Sequence, residues 1–200
     1  CLVFSGIYLY YELAGLEQNI EASQLVIPIR SQFSSPLRKP TGLAYDGTYL
    51  WLSSADEGAI CRVNITNMKI IEKLRVNIES PWGLAWDGKY LWAVDFDSQQ
   101  IKKININKHI IEGGLNTPGI APTGLTWNGE NIVLSDFESH KIYFLDPETG
   151  NVLSSFRIPS PGYNPSGLAY DGENLWVADI SASYIFKLDP RKGETISYYY

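Results

Sequence analysis

The stretch Pro165–Ser181, PSGLAYDGENLWVADIS, decides the fold, because the chain carries it four times. The other copies open at Pro40 (PTGLAYDGTYLWLSSAD), Pro81 (PWGLAWDGKYLWAVDFD) and Pro122 (PTGLTWNGENIVLSDFE), at spacings of 41, 41 and 43 residues. Six residues after the aspartate-like position of each copy (Ser54, Asp95, Asp136, Asp179) stands an isoleucine: Ile60, Ile101, Ile142 and Ile185. Landmarks that keep one register through four copies define an internal repeat, and a period near 40 residues is that of a stacked supersecondary unit.

Each copy divides into four short strands. Gly-Leu-Ala-Tyr/Trp is the first, and it turns at Asp46-Gly47, Asp87-Gly88, Asn128-Gly129 or Asp171-Gly172. Asp-Gly and Asn-Gly supply the positive φ angles of a tight hairpin turn. The second strand is the aromatic and β-branched run Tyr-Leu-Trp-Leu-Ser or Asn-Leu-Trp-Val-Ala. The third holds the isoleucine, and the fourth is a less regular stretch such as 69–76 or 151–158. Helical periodicity is absent. Four-stranded antiparallel units at this period are the blades of a β-propeller, so the fold class expected is all-β, with four recognisable blades at 40–80, 81–121, 122–164 and 165–200.

The repeat resembles that of NHL-like propellers and of the gluconolactonase and streptogramin-lyase-like superfamily. The matching residues include Pro165, Gly167, Leu168, Ala169, Asp171, Gly172, Leu175, Trp176, Val177, Ala178, Asp179 and Ile185. The resemblance spans residues 40–200 and implies the propeller fold. It leaves function open between binding modules, lactonases, lyases and cyclases. The tryptophan of the second strand departs from the NHL pattern and is closer to exported bacterial and archaeal propellers.

Ahead of the blades, residues 1–20 form an apolar leader, with Leu2–Leu16 interrupted only by Glu12 among charged groups. We read it as the remnant of a signal or membrane anchor, the alternative being a short helix packed on the propeller. The propeller is then 21–200, and an extra strand is expected at 24–30. Because the last copy has its own fourth strand at 194–200, one strand is surplus. The expectation is a chain cut from a propeller of six or more blades, against a four-bladed ring with one strand displaced. An anchored or exported chain would place the propeller outside the cytoplasm, periplasmic, secreted or membrane-attached.

A formal charge of −6 with no cluster of Lys and Arg argues against nucleic acid as partner. Two cysteines, Cys1 and Cys61, make neither a disulfide framework nor a metal cluster. Phosphate-cradling glycine loops and nucleophile elbows are absent. Asn64-Ile65-Thr66 fits a glycosylation sequon.

Positions shared by all copies are read as structural, since every blade needs them, and positions where copies disagree on one face are the candidates for function. Asp95, Asp136 and Asp179 end the second strands and would lie at the channel mouth. They either cap the following turns or form a carboxylate ring for Ca²⁺ or Mg²⁺, hard cations that take oxygen ligands. The residues that break symmetry on that face are Trp82, Asp97, Glu138, His140 and Tyr163. Trp82, Asp97 and Tyr163 are the ligand-binding candidates, and His140 with Glu138 the candidate general base pair. The leading expectation is a non-enzymatic binding or interaction module for a protein, glycan or small molecule. The alternative is a metal-dependent propeller enzyme, lactonase- or lyase-like, with a glutaminyl cyclase-like enzyme as a third possibility.

Overall fold

The structure is a computed structural model that describes residues 2–4, 7–9, 31–158 and 164–199. Strands β1 (Leu2–Phe4) and β2 (Ile7–Leu9) pair antiparallel, so these residues are extended where a short helix was one expectation. The rest of the leader and the strand expected at 24–30 lie outside the described residues. Among those residues no helix is long and apolar enough to cross a membrane.

Four antiparallel sheets follow, and together they form a four-bladed β-propeller. Blade 1 contains β3 (Gly42–Tyr45), β4 (Leu50–Ser54), β5 (Ala59–Val63) and β6 (Ile70–Lys73). Blade 2 contains β7 (Pro81–Trp86), β8 (Leu91–Asp95), β9 (Gln100–Asn105) and β10 (Ile110–Asn116). Blade 3 contains β11 (Pro122–Trp127), β12 (Ile132–Asp136), β13 (Lys141–Leu145) and β14 (Val152–Arg157). Blade 4 contains β15 (Pro165–Tyr170), β16 (Leu175–Asp179), β17 (Tyr184–Leu188) and β18 (Thr195–Tyr199). Each sheet is a meander whose strands pair in sequence order.

The inner strands touch in succession, β3 on β7, β7 on β11 and β11 on β15, while β1 lies beside both β15 and β3. The Pro-x-Gly glycines Gly42, Gly83 and Gly124 make these contacts close. A Cβ on Gly42 would stand 2.0 Å from the Trp82 carbonyl oxygen, and one on Gly124 would stand 2.1 Å from that of Ser166. Only a residue without a side chain fits there.

The core lies between blades. Trp51, Ile60, Leu84, Leu91 and Ile104 join blades 1 and 2. Trp92, Ile101, Leu125, Leu134 and Leu145 join blades 2 and 3, and Ile142, Phe144, Leu168, Val177 and Phe186 join blades 3 and 4. Burying one such side chain contributes about 1.5–3 kcal/mol, which makes these seams the main source of cohesion.

The repeat motif becomes one hydrogen-bonded unit. In the hairpin turns, Asp46, Asp87 and Asp171 each accept two backbone amides on Oδ1, for example Glu173 N at 2.9 Å and Asn174 N at 2.6 Å. Their Oδ2 accepts the indole N–H of Trp51, Trp92 and Trp176, at 2.8, 2.7 and 2.7 Å. A cation from the paired third strand then covers each indole: Arg62, Lys103 and Lys187. Blade 3 changes all three positions together. Asn128 stands for the aspartate, Val133 for the tryptophan and Phe144 for the cation opposite it. Without an indole to hold, one amide oxygen suffices for the turn, and Asn128 Oδ1 accepts Glu130 N and Asn131 N.

A second device alternates around the ring. In blade 1 Thr41 Oγ1 donates to Pro81 O at 2.7 Å and Ser53 Oγ to Trp82 O at 2.5 Å. In blade 3 Thr123 Oγ1 donates to Pro165 O at 3.0 Å and Ser135 Oγ to Ser166 O at 3.1 Å. Blade 2 has Trp82 and Val94 at these two positions, so its seam with blade 3 has no such hydroxyl pair.

Candidate functional site

Pro81, Pro122 and Pro165 pair with Asp95, Asp136 and Asp179, which brings blade starts and second-strand ends to one face, as the sequence implied. The turns at 55–58, 96–99, 137–140 and 180–183 stand on that face.

All three aspartates are buried, and their oxygens are occupied. Asp136 accepts Ala121 N on Oδ2 and Ser139 N on Oδ1, both at 2.8 Å. Asp179 does the same with Asn164 N at 2.7 Å and Ala182 N at 2.6 Å. Asp95 accepts Ser80 N at 3.3 Å and the Ser98 hydroxyl at 2.8 Å, with Lys102 Nζ 4.0 Å away. Each carboxylate thus ties the residue ahead of its proline to the turn that follows its strand. Ser54 serves blade 1 by donating to Arg38 O at 2.6 Å and accepting Glu57 N at 3.3 Å. This is the turn-capping arrangement. Among the described residues no three His, Cys, Asp or Glu side chains are grouped so as to hold a metal ion.

His140 and Glu138 occupy the blade 3 turn, where Glu138 is exposed and His140 half-buried. His140 has φ of 58°, and Gly58, Gln99 and Ser183 hold the same left-handed slot with φ between 53° and 56°. Its backbone therefore closes the turn as theirs do. The other histidine, His109, is on the opposite face, with Nε2 2.8 Å from Glu72 Oε1. No acid/base pair of histidines is assembled.

Trp82 is different. It occupies the position that Thr41, Thr123 and Ser166 fill with small hydroxyl side chains, and its ring stacks on Phe96 with centroids 5.2 Å apart and planes inclined by 29°. Both rings are half-buried, and Trp82 packs against the seam between blades 2 and 3. Asp97, exposed, follows Phe96 directly. Tyr163 lies outside the described residues. Phe96 escaped the sequence reading because Phe137 and Ile180 make its position look like a shared apolar one. The signal was the coincidence of a blade-start tryptophan with an aromatic residue at the turn its own strand faces.

Fold and face together define a β-propeller whose recurrent mouth carboxylates accept blade-start amides and cap the following turns, and whose blade 2 carries a stacked aromatic pair. No family model matches the chain, and no curated protein matches it in sequence. Solved structures do. A glutaminyl cyclase from Myxococcus xanthus superposes with a TM-score of 0.70 at 17% identity, over 80% of this chain and 70% of that one. Hydrazine synthase from Kuenenia stuttgartiensis gives 0.59 at 16%, over 91% and 52%. A catalytically inactive virginiamycin B lyase from Staphylococcus aureus, with quinupristin, gives 0.59 at 19%, over 84% and 59%. The chain thus spans between about half and 70% of these proteins, and the likeness is one of fold. It places the chain among β-propellers that include the lyase and cyclase types named from the repeat.

Proposed function

We propose that this chain is a non-enzymatic propeller that binds a ring-bearing ligand, a sugar or a small cyclic molecule, on the Trp82–Phe96 platform. The supporting observation is that stack, at a position where the other blades carry small hydroxyl residues. Half-exposed aromatic faces at loop ends of a rigid scaffold take flat partners by stacking. Asp97 and Glu138 on the same face favour neutral or cationic ligands over anionic ones. The apolar leader supports export or membrane attachment of the propeller.

A metal-dependent lactonase or lyase has no such support, because Asp95, Asp136 and Asp179 bond backbone amides. The test is a glycan array probed with labelled protein, followed by tryptophan fluorescence titration of the strongest binder. Trp82→Ala is expected to abolish binding while the circular dichroism spectrum stays unchanged. Equal binding by Trp82→Ala would sink the proposal, and so would turnover of quinupristin or activity in a glutaminyl cyclase assay.

A further inference from the structure

The outer strands of the blades differ in what they offer a partner. Among the described residues β6 is the unpaired outer edge of blade 1, and its register pairs Arg62 with Glu72 and Cys61 with Lys73. Leu74 N donates inward to Ile60 O at 2.8 Å. Since successive residues of an extended strand alternate in direction, the backbone groups of Lys73, the last residue of β6, point away from the blade, and Arg75 follows two residues on. Their side chains are exposed, while Leu74 is buried and Val76 partly buried.

A cavity of about 650 Å³ runs beside this edge, lined by Gly58, Glu72, Lys73, Arg75, Val76 and His109. Its one carboxylate is already engaged. Glu72 holds Arg62 at 2.9 Å and His109 at 2.8 Å. Lys73 and Arg75 have no ion-pair partner among the described residues, which leaves the groove cationic in a chain of formal charge −6. The other outer strands lack this combination. β10 bears Glu112, β18 has no charged residue, and β14 has only Arg157, at its end.

We propose that β6 and the groove beside it dock an extended acidic peptide segment, which adds to blade 1 as a fifth strand. Main-chain hydrogen bonds to the β6 edge at Lys73 supply affinity, and carboxylates two residues apart on the partner meet the Lys73 and Arg75 side chains. The site is separate from the Trp82 platform and stands or falls independently of it.

The test is fluorescence anisotropy of the intact chain with a labelled, amidated peptide, Glu-Val-Glu-Val-Glu, beside its Lys-Val counterpart and a form N-methylated at alternate backbone nitrogens. The acidic peptide is expected to bind saturably and to weaken as salt rises. N-methylation should weaken it by about tenfold or more, because the methyl groups block the ladder. The double change Lys73→Glu, Arg75→Glu, at two exposed positions, should weaken it by a similar factor of about ten while leaving the fold intact. Lack of saturable binding at about 1 mM, the weak limit of specific association, would overturn the proposal. The same holds for equal binding by the N-methylated peptide or by the charge-reversed variant. Tighter binding of the Lys-Val peptide, or self-association through β6 seen in sedimentation and lost in the variant, would assign the edge to another occupant.

Discussion

The Trp176 indole donates to Asp171 Oδ2 at 2.7 Å while Asp171 Oδ1 caps the turn that leads to the tryptophan's own strand. One side chain thus fixes both the hairpin and the orientation of a seam-filling aromatic ring. The same relation holds between Asp46 and Trp51 and between Asp87 and Trp92.

An asparagine at 171 would present an amide N–H₂ to a donor on one side or the other. Asp171→Asn is therefore expected to lower stability by about 1 kcal/mol, the contribution of one such hydrogen bond. Asn128→Asp, in the blade without the tryptophan, should leave it unchanged. Urea unfolding of the two variants measures the contrast.

Acid should act through Asp171 and through the turns that join third and fourth strands in blades 3 and 4. Burial pushes the Asp171 carboxyl up, but the Asn174 and Glu173 amides and the Trp176 indole together hold it below the usual carboxylate value. The Thr149 amide and hydroxyl lower Asp146, and the Arg191 amide lowers Asp189. A carboxyl depressed in the folded state stabilises fully above its unfolded value, near pH 4, and loses that contribution as pH falls through the folded value. The urea midpoint should thus hold level from about pH 7 to 5 and drop below about pH 4. Asp171→Asn should show a shallower fall than the parent chain.

The hydroxyl pairs carry a third expectation. Ser135 Oγ accepts Gly124 N at 2.7 Å, lies 3.0 Å from Thr123 Oγ1 and donates across the seam to Ser166 O at 3.1 Å. Ser135→Ala leaves buried groups without partners and should cost about 1–3 kcal/mol. Combined with Thr123→Val the loss should fall short of additive, since the two share partners. A double-mutant cycle in urea reads both.

Gly124→Ala places a methyl group 2.1 Å from the Ser166 carbonyl oxygen. Neither backbone can move without parting β11 from β15, so the variant should lose more than about 3 kcal/mol. Thermal unfolding would show it. A loss below about 1 kcal/mol would mean that the inner strands are not packed this closely.

The blades were legible in the sequence because turn chemistry, strand composition and period all agreed in four copies. The capping role of Asp136 and Asp179 was legible for the same reason: a residue needed in every blade serves the blade. Pairings across blades were harder to see. Nothing local in the sequence says that Ser53 and Ser135 reach the next blade's carbonyls, because that distance depends on how closely glycine lets two sheets approach. The coupled change at Asn128, Val133 and Phe144 was visible as three separate differences, and its logic needed the cross-strand register. Phe96 became a partner of Trp82 only once the turn was folded over the blade start.

Thermal unfolding across a titration of CaCl₂ and MgCl₂ tests whether the mouth carboxylates are turn caps. With Asp95, Asp136 and Asp179 bonded to amides and a hydroxyl, Tm should stay constant up to about 5 mM of either ion, since a ligand that does not bind the folded state cannot stabilise it. A Tm that climbs with metal concentration in the parent chain, and does not in Asp136→Asn, would contradict the turn-cap role and place a metal site at the channel mouth.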